Sequence, residues 1–203
     1  MSESWIELCR AYRAERYRLR MFLPIAIGLA VAASAATRPE SWILSGLLVF
    51  QFRLWDDLAD IDFDRLNHPG RVLVKAGRHT AFYVLLISSA LLNMLLATWL
   101  SAALITCLVI NACAVIWYHV FPAVWRRSFA GRHFTLLKYP MFVWVLAGDI
   151  LMDSMAFIYL CAAIYELLHD RDMRLNSAWR AVLTVELFSL AGLIAVILSG
   201  GSL

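Results

Sequence analysis

Apolar positions along this chain gather into long runs separated by polar breaks. Seven runs stand out: Met21–Ala36, Trp42–Trp55, Thr80–Thr98, Ala102–Val120, Phe134–Gly148, Met152–Leu168 and Ala181–Ser199. A helix that crosses a bilayer needs about 20 mostly apolar residues. Each run therefore predicts a membrane helix, the second and fifth extending into their flanks. The connections alternate. Residues 37–41, 100–101 and 149–151 are tight, whereas 56–79, 121–133 and 169–180 are longer and polar. Ahead of the first run, residues 1–20 hold five arginines and three glutamates and no long apolar core. This is not the pattern of a cleavable signal peptide. Ser4 and Glu7 fit a capping box, which predicts a short interfacial helix with Trp5, Ile6 and Leu8 dipping among lipid headgroups.

Composition agrees with that pattern. Hydrophobic residues make up 62% of the 203 residues and charged residues 16%, with a mean hydropathy of +0.71. A soluble domain is about half apolar and a quarter charged, so too few polar residues remain to cover a water-facing surface. Disorder is excluded on the same grounds. The expected fold class is all-α, a polytopic membrane bundle of about seven helices around a central cavity. The expected organisation is an N-terminal segment, 1–20, followed by one membrane domain, 21–203. Four scattered cysteines form no CxxC pair and read as small packing residues.

The net charge of +3 is mild, but its distribution is uneven. Of the 18 Lys and Arg residues, 17 fall in the N-terminal segment and the regions around the second, fourth and sixth connections, and only Arg38 falls on the opposite side. The positive-inside rule then places the N-terminus in the cytoplasm. The expected location is the cytoplasmic membrane of a prokaryote, with no nucleic-acid partner.

Candidate chemistry lies at the same inner edge. Residues 53–65 carry five aspartates within nine positions. If the second helix continues, Asp57, Asp60 and Asp64 share one face, and Asp56 and Asp60 are four apart. Like charges at that spacing repel alone but suit a divalent cation. Carboxylates suit Mg2+, which completes its shell with water and substrate phosphate. Glu166 and Asp170 form a second pair, four apart, at the inner end of the sixth run. Arg71, Lys75 and Lys138 offer charge to phosphate oxygens, and all three also suit lipid headgroups. Arg53 lies four residues before Asp57 and suits an ion pair with it. Glu186 sits inside the seventh run, where an acid is a functional candidate by default.

These residues resemble a known family. The run DDLADIDFDRLNHPGRVLVKAG is similar to the first signature of the UbiA-type intramembrane prenyltransferases, NDxxDxxxD followed by a polar stretch with Pro, Arg and Gly. Asp56 stands at the Asn position. Asp57, Asp60 and Asp64 stand at the three Asp positions, and Pro69, Arg71 and Gly77 fit the tail. Lys138 in FTLLKYP resembles a family lysine, and Glu166 and Asp170 stand where a DxxxD motif would be. The resemblance spans about residues 20 to 200.

The resemblance implies a helical bundle that binds a polyprenyl diphosphate through Mg2+ and transfers the prenyl group to an acceptor. Asp57, Asp60 and Asp64 would be its catalytic acids. Asp56, Asp57, Asp60, Asp64, Glu166 and Asp170 would be metal ligands, and Arg71, Lys138 and Lys75 would bind the diphosphate. The chain departs from the family in having seven spans rather than nine and in reading ExxxD at the second motif. The missing wall would come from lipid or from a second copy in a homo-oligomer. The alternative is a relative that keeps the fold, as scaffold or lipid-binding protein, without turnover. A transporter suits intramembrane acids, but these should then lie at mid-membrane. The DGxxAR signature of CDP-alcohol phosphotransferases is absent.

Overall fold

The computed structural model describes residues 5–35, 38–76, 79–99 and 103–199. Every regular element among them is helical. Seven helices coincide with the apolar runs: α2 (Leu19–Ala32), α3 (Pro39–Ala59), α6 (Thr80–Thr98), α7 (Ala103–His119), α10 (Lys138–Ala147), α11 (Met152–His169) and α13 (Trp179–Leu198). The polar segments are helical too. They supply α1 (Trp5–Arg16), α4 (Ile61–Asn67), α5 (Val72–Lys75), α8 (Ala123–Arg126), α9 (Phe129–Leu136) and α12 (Arg171–Arg174). The expected N-terminal helix is therefore present as α1; Ser4 of its capping box lies outside the described residues. Trp5 and Ile6 are exposed, and Leu8 packs on the core.

The bundle is organised around α10. This helix touches α2, α3, α7 and α11, and Phe142, Val143, Val145 and Leu146 on it are completely buried. Around it, α3 packs on α2 and α6, α6 on α7, and α11 on α2 and α13. The expected fifth span, Phe134–Gly148, is not one helix. Leu137 separates α9 from α10. Pro140 has no N–H for the carbonyl of Leu136, and its ring crowds that carbonyl. The chain answers with a tighter turn, Leu137 N–H to Phe134 O at 3.1 Å. The ten residues of α10 rise about 15 Å, half of a hydrocarbon core of about 30 Å.

Two helices are long and apolar enough to cross a membrane by themselves, α6 and α13, and shorter apolar helices cover Phe22–Ala32 and Leu104–His119. Both long helices are mostly unburied, with 28% and 11% of their apolar windows inside the protein. Their outer faces are rows of large apolar side chains, such as Val84, Ile87, Leu91 and Leu95 on α6 and Val185 and Phe188 on α13. Polar groups lie inside instead. Gln51, Asn93 and Asn111 join α3, α6 and α7: Asn93 donates to Gln51 at 2.7 Å, and Gln51 donates to Asn111 at 2.6 Å. Asn111 donates in turn to the Cys107 carbonyl at 2.8 Å. Such interhelical amides hold helices together where water is absent.

One glycine is required by a close approach. A Cβ on Gly131 would lie 2.1 Å from the carbonyl oxygen of Trp125. Only a bare α-carbon lets α9 fold back on α8, with Ser128 Oγ capping the Gly131 N–H at 3.0 Å. That corner carries Arg126, Arg127 and Arg132 to one place.

Candidate functional site

The three arginines face a polar cavity of about 330 Å³ at one end of the bundle. The helical ladder of α3 continues through the junction with α4: Asp60 N–H bonds to Asp56 O at 3.1 Å, and Asp64 N–H bonds to Asp60 O at 2.9 Å. Continuity keeps the carboxylates on one face, as the spacing predicts. Asp56, Asp57, Asp60 and Asp64 all line the cavity, and Glu166 and Asp170 line it from α11 and its end. The two acidic segments, about a hundred residues apart in sequence, thus meet. Seven Lys and Arg side chains stand among the six carboxylates. The lining therefore carries one formal positive charge.

Most of these charges are paired, and the pairs differ in kind. Asp57 is almost completely buried. It accepts from Tyr12 at 2.9 Å, from Arg53 at 3.0 Å and from two nitrogens of Arg16. Four donors fill the lone-pair positions of one carboxylate. Asp57 therefore anchors α1 onto α3, and its pairing with Arg53 follows the expected four-residue spacing. Burial and the Asp57 carboxylate push the Tyr12 phenol well above its usual range, so Tyr12 remains a donor. A second tie, Val72 N–H to Glu15 Oε2 at 2.8 Å, fastens α1 to α5.

Asp56 holds Lys138 and the Tyr118 hydroxyl. Asp64 holds Arg71, and Asp170 holds Arg132. Asp60 is the more open acid and pairs with Arg127 at 2.8 Å; the guanidinium of Arg127 also lies 4.0 Å from the Phe63 ring centroid. Two cavity charges have no ion-pair partner among the described residues: Glu166 on α11 and Arg126 on α8. Arg126 donates to the Ala59 carbonyl at 3.4 Å, and its buried Nε makes no hydrogen bond.

The sequence-based candidates divide accordingly. Arg71 and Lys138 face the cavity. Lys75 is exposed and does not line it, lying one turn further along the chain than Arg71. Gly77 lies outside the described residues. Asp62 also turns away, its side chain exposed beside Arg65. Arg16, Arg126, Arg127 and Arg132, with Tyr12 and Tyr118, were not singled out by motif. Their one signal was the clustering of basic residues on the same side as the acids. Glu186 is not in the cavity. It is buried on α13, 3.5 Å from His133, whose Nδ1 lies 3.3 Å from the Tyr159 hydroxyl.

Two apolar cavities adjoin the polar one. One, of about 380 Å³, is walled by α2 and α11 and shares Leu136, Tyr139 and Glu166 with it. The other, of about 190 Å³, lies between α7 and the α9–α10 junction and shares Trp117, Tyr118, Thr135 and Lys138.

No protein-family model matches the chain, and no curated protein or solved structure matches it. What the cavity can hold is therefore read from its donors. Among the described residues, no three His, Cys, Asp or Glu side chains converge to hold an ion alone. Mg2+ does not require this, since it commonly takes one or two carboxylates and fills its shell with water and phosphate oxygens. The carboxylate-rich donor set, with the Glu166 carboxylate free of ion pairs among the described residues, fits such an ion. Asp57, with every acceptor position filled, does not.

Proposed function

We propose that the chain is a multi-pass membrane protein, its polar cavity at the cytoplasmic face, that binds a polyprenyl diphosphate with Mg2+ and transfers the prenyl group to an acceptor. The seven long helices would form the membrane bundle, with α10 held inside by protein rather than lipid. One observation carries the reading: two acidic segments and seven basic side chains surround a polar cavity that adjoins an apolar one, the two sharing Leu136, Tyr139 and Glu166 as wall. A charged head and a long apolar tail need that adjacency.

The chain's own residues have distinct tasks in this reading. Arg126 and Arg127 donate to diphosphate oxygens, Arg126 without breaking an ion pair. Lys138 and Arg71 add charge from the other walls. Asp60 and Glu166, the more open acids, would be ligands to Mg2+, with Asp56, Asp64 and Asp170 available once Lys138, Arg71 and Arg132 turn to the diphosphate. When bound, the ion supplies positive charge against the leaving group. The C–O bond to the diphosphate breaks as the acceptor's bond to the prenyl carbon forms, and the acceptor loses a proton. Tyr139, at the boundary of head and tail cavities, presents a ring to the cationic carbon. Asp57 acts at a distance, holding α1 and the guanidinium of Arg16 at the cavity wall.

A second reading is favoured by the pairing of five acids with bases: a chain that binds a phosphate-headed lipid without turnover. One experiment separates the two. Purified protein in lipid nanodiscs is given Mg2+, radiolabelled farnesyl diphosphate and a panel of phenolic and alcohol acceptors. Pyrophosphate release that disappears in Asp60→Asn supports the transferase. Equal inertness of wild type and Asp60→Asn, with farnesyl diphosphate still bound, supports the second reading.

A further inference from the structure

The smaller apolar cavity is not needed by a diphosphate or its tail, and its chemistry is specific. It shares no residue with the larger one. The partition is the chain's own: Thr135, Leu137 and Lys138 face the smaller cavity, whereas Leu136 and Tyr139 face the larger. Helical periodicity accounts for it: Thr135 and Lys138 are three apart, as are Leu136 and Tyr139, so each pair shares a face of its own. At about 190 Å³, the smaller cavity suits one ring, since an apolar cavity of about 150 Å³ takes a benzene.

Its polar groups are already committed. Thr135 Oγ donates to the Gly131 carbonyl at 3.0 Å and accepts from Trp117 Nε1 at 3.1 Å. Lys138, its one charged wall residue, and the Tyr118 hydroxyl are both held by Asp56. A carboxylate placed here would have to take Lys138 from Asp56 or, once Lys138 has turned, from the diphosphate. A neutral ring costs no such exchange, and its single polar end would reach the neck where Asp56, Tyr118 and Lys138 meet the polar cavity. We infer that the cavity between α7 and the α9–α10 junction is a separate subsite for an uncharged, ring-sized apolar molecule with one hydrogen-bonding end. Given the transferase reading, on which this assignment of role rests, that molecule is the prenyl acceptor.

The two apolar cavities carry a native reporter each. Cys113 lines the smaller and Cys161 the larger, and both are free thiols. The full chain in nanodiscs is labelled with N-ethylmaleimide, and the rate at each cysteine is read by mass spectrometry. At ten times its Kd, 4-ethylphenol is expected to slow labelling of Cys113 on the order of tenfold, as occupancy requires, and to leave Cys161 unchanged. Charged 4-hydroxybenzoate is expected to leave Cys113 unprotected. Farnesyl diphosphate with Mg2+ is expected to protect Cys161 and not Cys113. In Ala114→Phe, which fills the smaller cavity, the phenol should lose its protection of Cys113 relative to that variant's own rate. Protection of neither or both cysteines by the phenol, of Cys113 by 4-hydroxybenzoate, or of both cysteines by farnesyl diphosphate overturns the subsite. Protection of Cys113 by the phenol with no farnesyl diphosphate binding leaves the subsite standing and sinks the diphosphate reading instead.

Discussion

Two polar networks lie inside this apolar bundle, and they differ in every respect that matters for function. The Gln51–Asn93–Asn111 chain is neutral, buried and inside a helix–helix seam. Its amides bond to one another, only Asn93 Oδ1 being left without a partner among the described residues, and none of the three lines the polar cavity. The network at the polar end is ionic, faces a cavity of about 330 Å³ and leaves Arg126 and Glu166 without ion partners among the described residues. Neutral amides bind helices together at modest cost when broken. Charges gathered around a void are costly to assemble and make sense where a charged ligand completes them. Within the ionic network the same contrast repeats: Asp57 is saturated and structural, whereas Asp60 and Glu166 are open.

Substitutions at both networks sharpen that contrast. The largest effect is expected at Arg126. Arg126→Ala removes a donor to the developing diphosphate charge and should lower prenyl turnover by about 10²-fold, with thermal stability little changed; a matched loss of stability would mark Arg126 as structural. Asp57→Ala should destabilise by about 3 kcal/mol, since it strands Arg16 and Arg53. Limited proteolysis should then cut within α1 first. Asn93→Leu breaks the amide chain and should cost about 1 kcal/mol in thermal unfolding, with the affinity for farnesyl diphosphate unchanged.

Smaller effects follow at the rim. Tyr12 is held protonated in the docked state. Undocked, its phenol ionises near its ordinary value of 10.0, so the undocked state binds fewer protons above that pH. Docking of α1 should therefore weaken as pH rises through 10, and Tyr12→Phe should remove this part of the dependence, read by protease sensitivity of residues 5–16. Lys75→Ala, at an exposed position outside the cavity, should leave farnesyl diphosphate affinity within about twofold.

Much of the helical plan is visible in the pattern of residues, because lipid-length apolar runs and helix boundaries are local properties. The acid spacing is local as well, and the shared face of Asp57, Asp60 and Asp64 follows directly from 3.6 residues per turn. Arg71 and Lys138 were identifiable beside motifs. What was not legible depends on long-range closure. Tyr12 and Arg16 reach Asp57 across more than 40 residues, and nothing near either position announces the contact. Arg126, Arg127 and Arg132 read only as part of the positive charge at the inner edge until Gly131 folds them inward. The fifth run looks continuous by hydropathy, yet Pro140 divides it at Leu137. Lys75 shows the opposite error, a base placed by proximity to a motif that lies one helical turn beyond the cavity wall.

The central claim is that the polar cavity receives a diphosphate together with Mg2+. Its most direct measurement is equilibrium binding of farnesyl thiolodiphosphate, which resists ionisation, to the protein in nanodiscs by isothermal titration. Binding is expected with Mg2+, is expected to be lost on chelation, and is expected to weaken about tenfold or more in Arg126→Ala. Binding that is unchanged by both chelation and Arg126→Ala would contradict the claim.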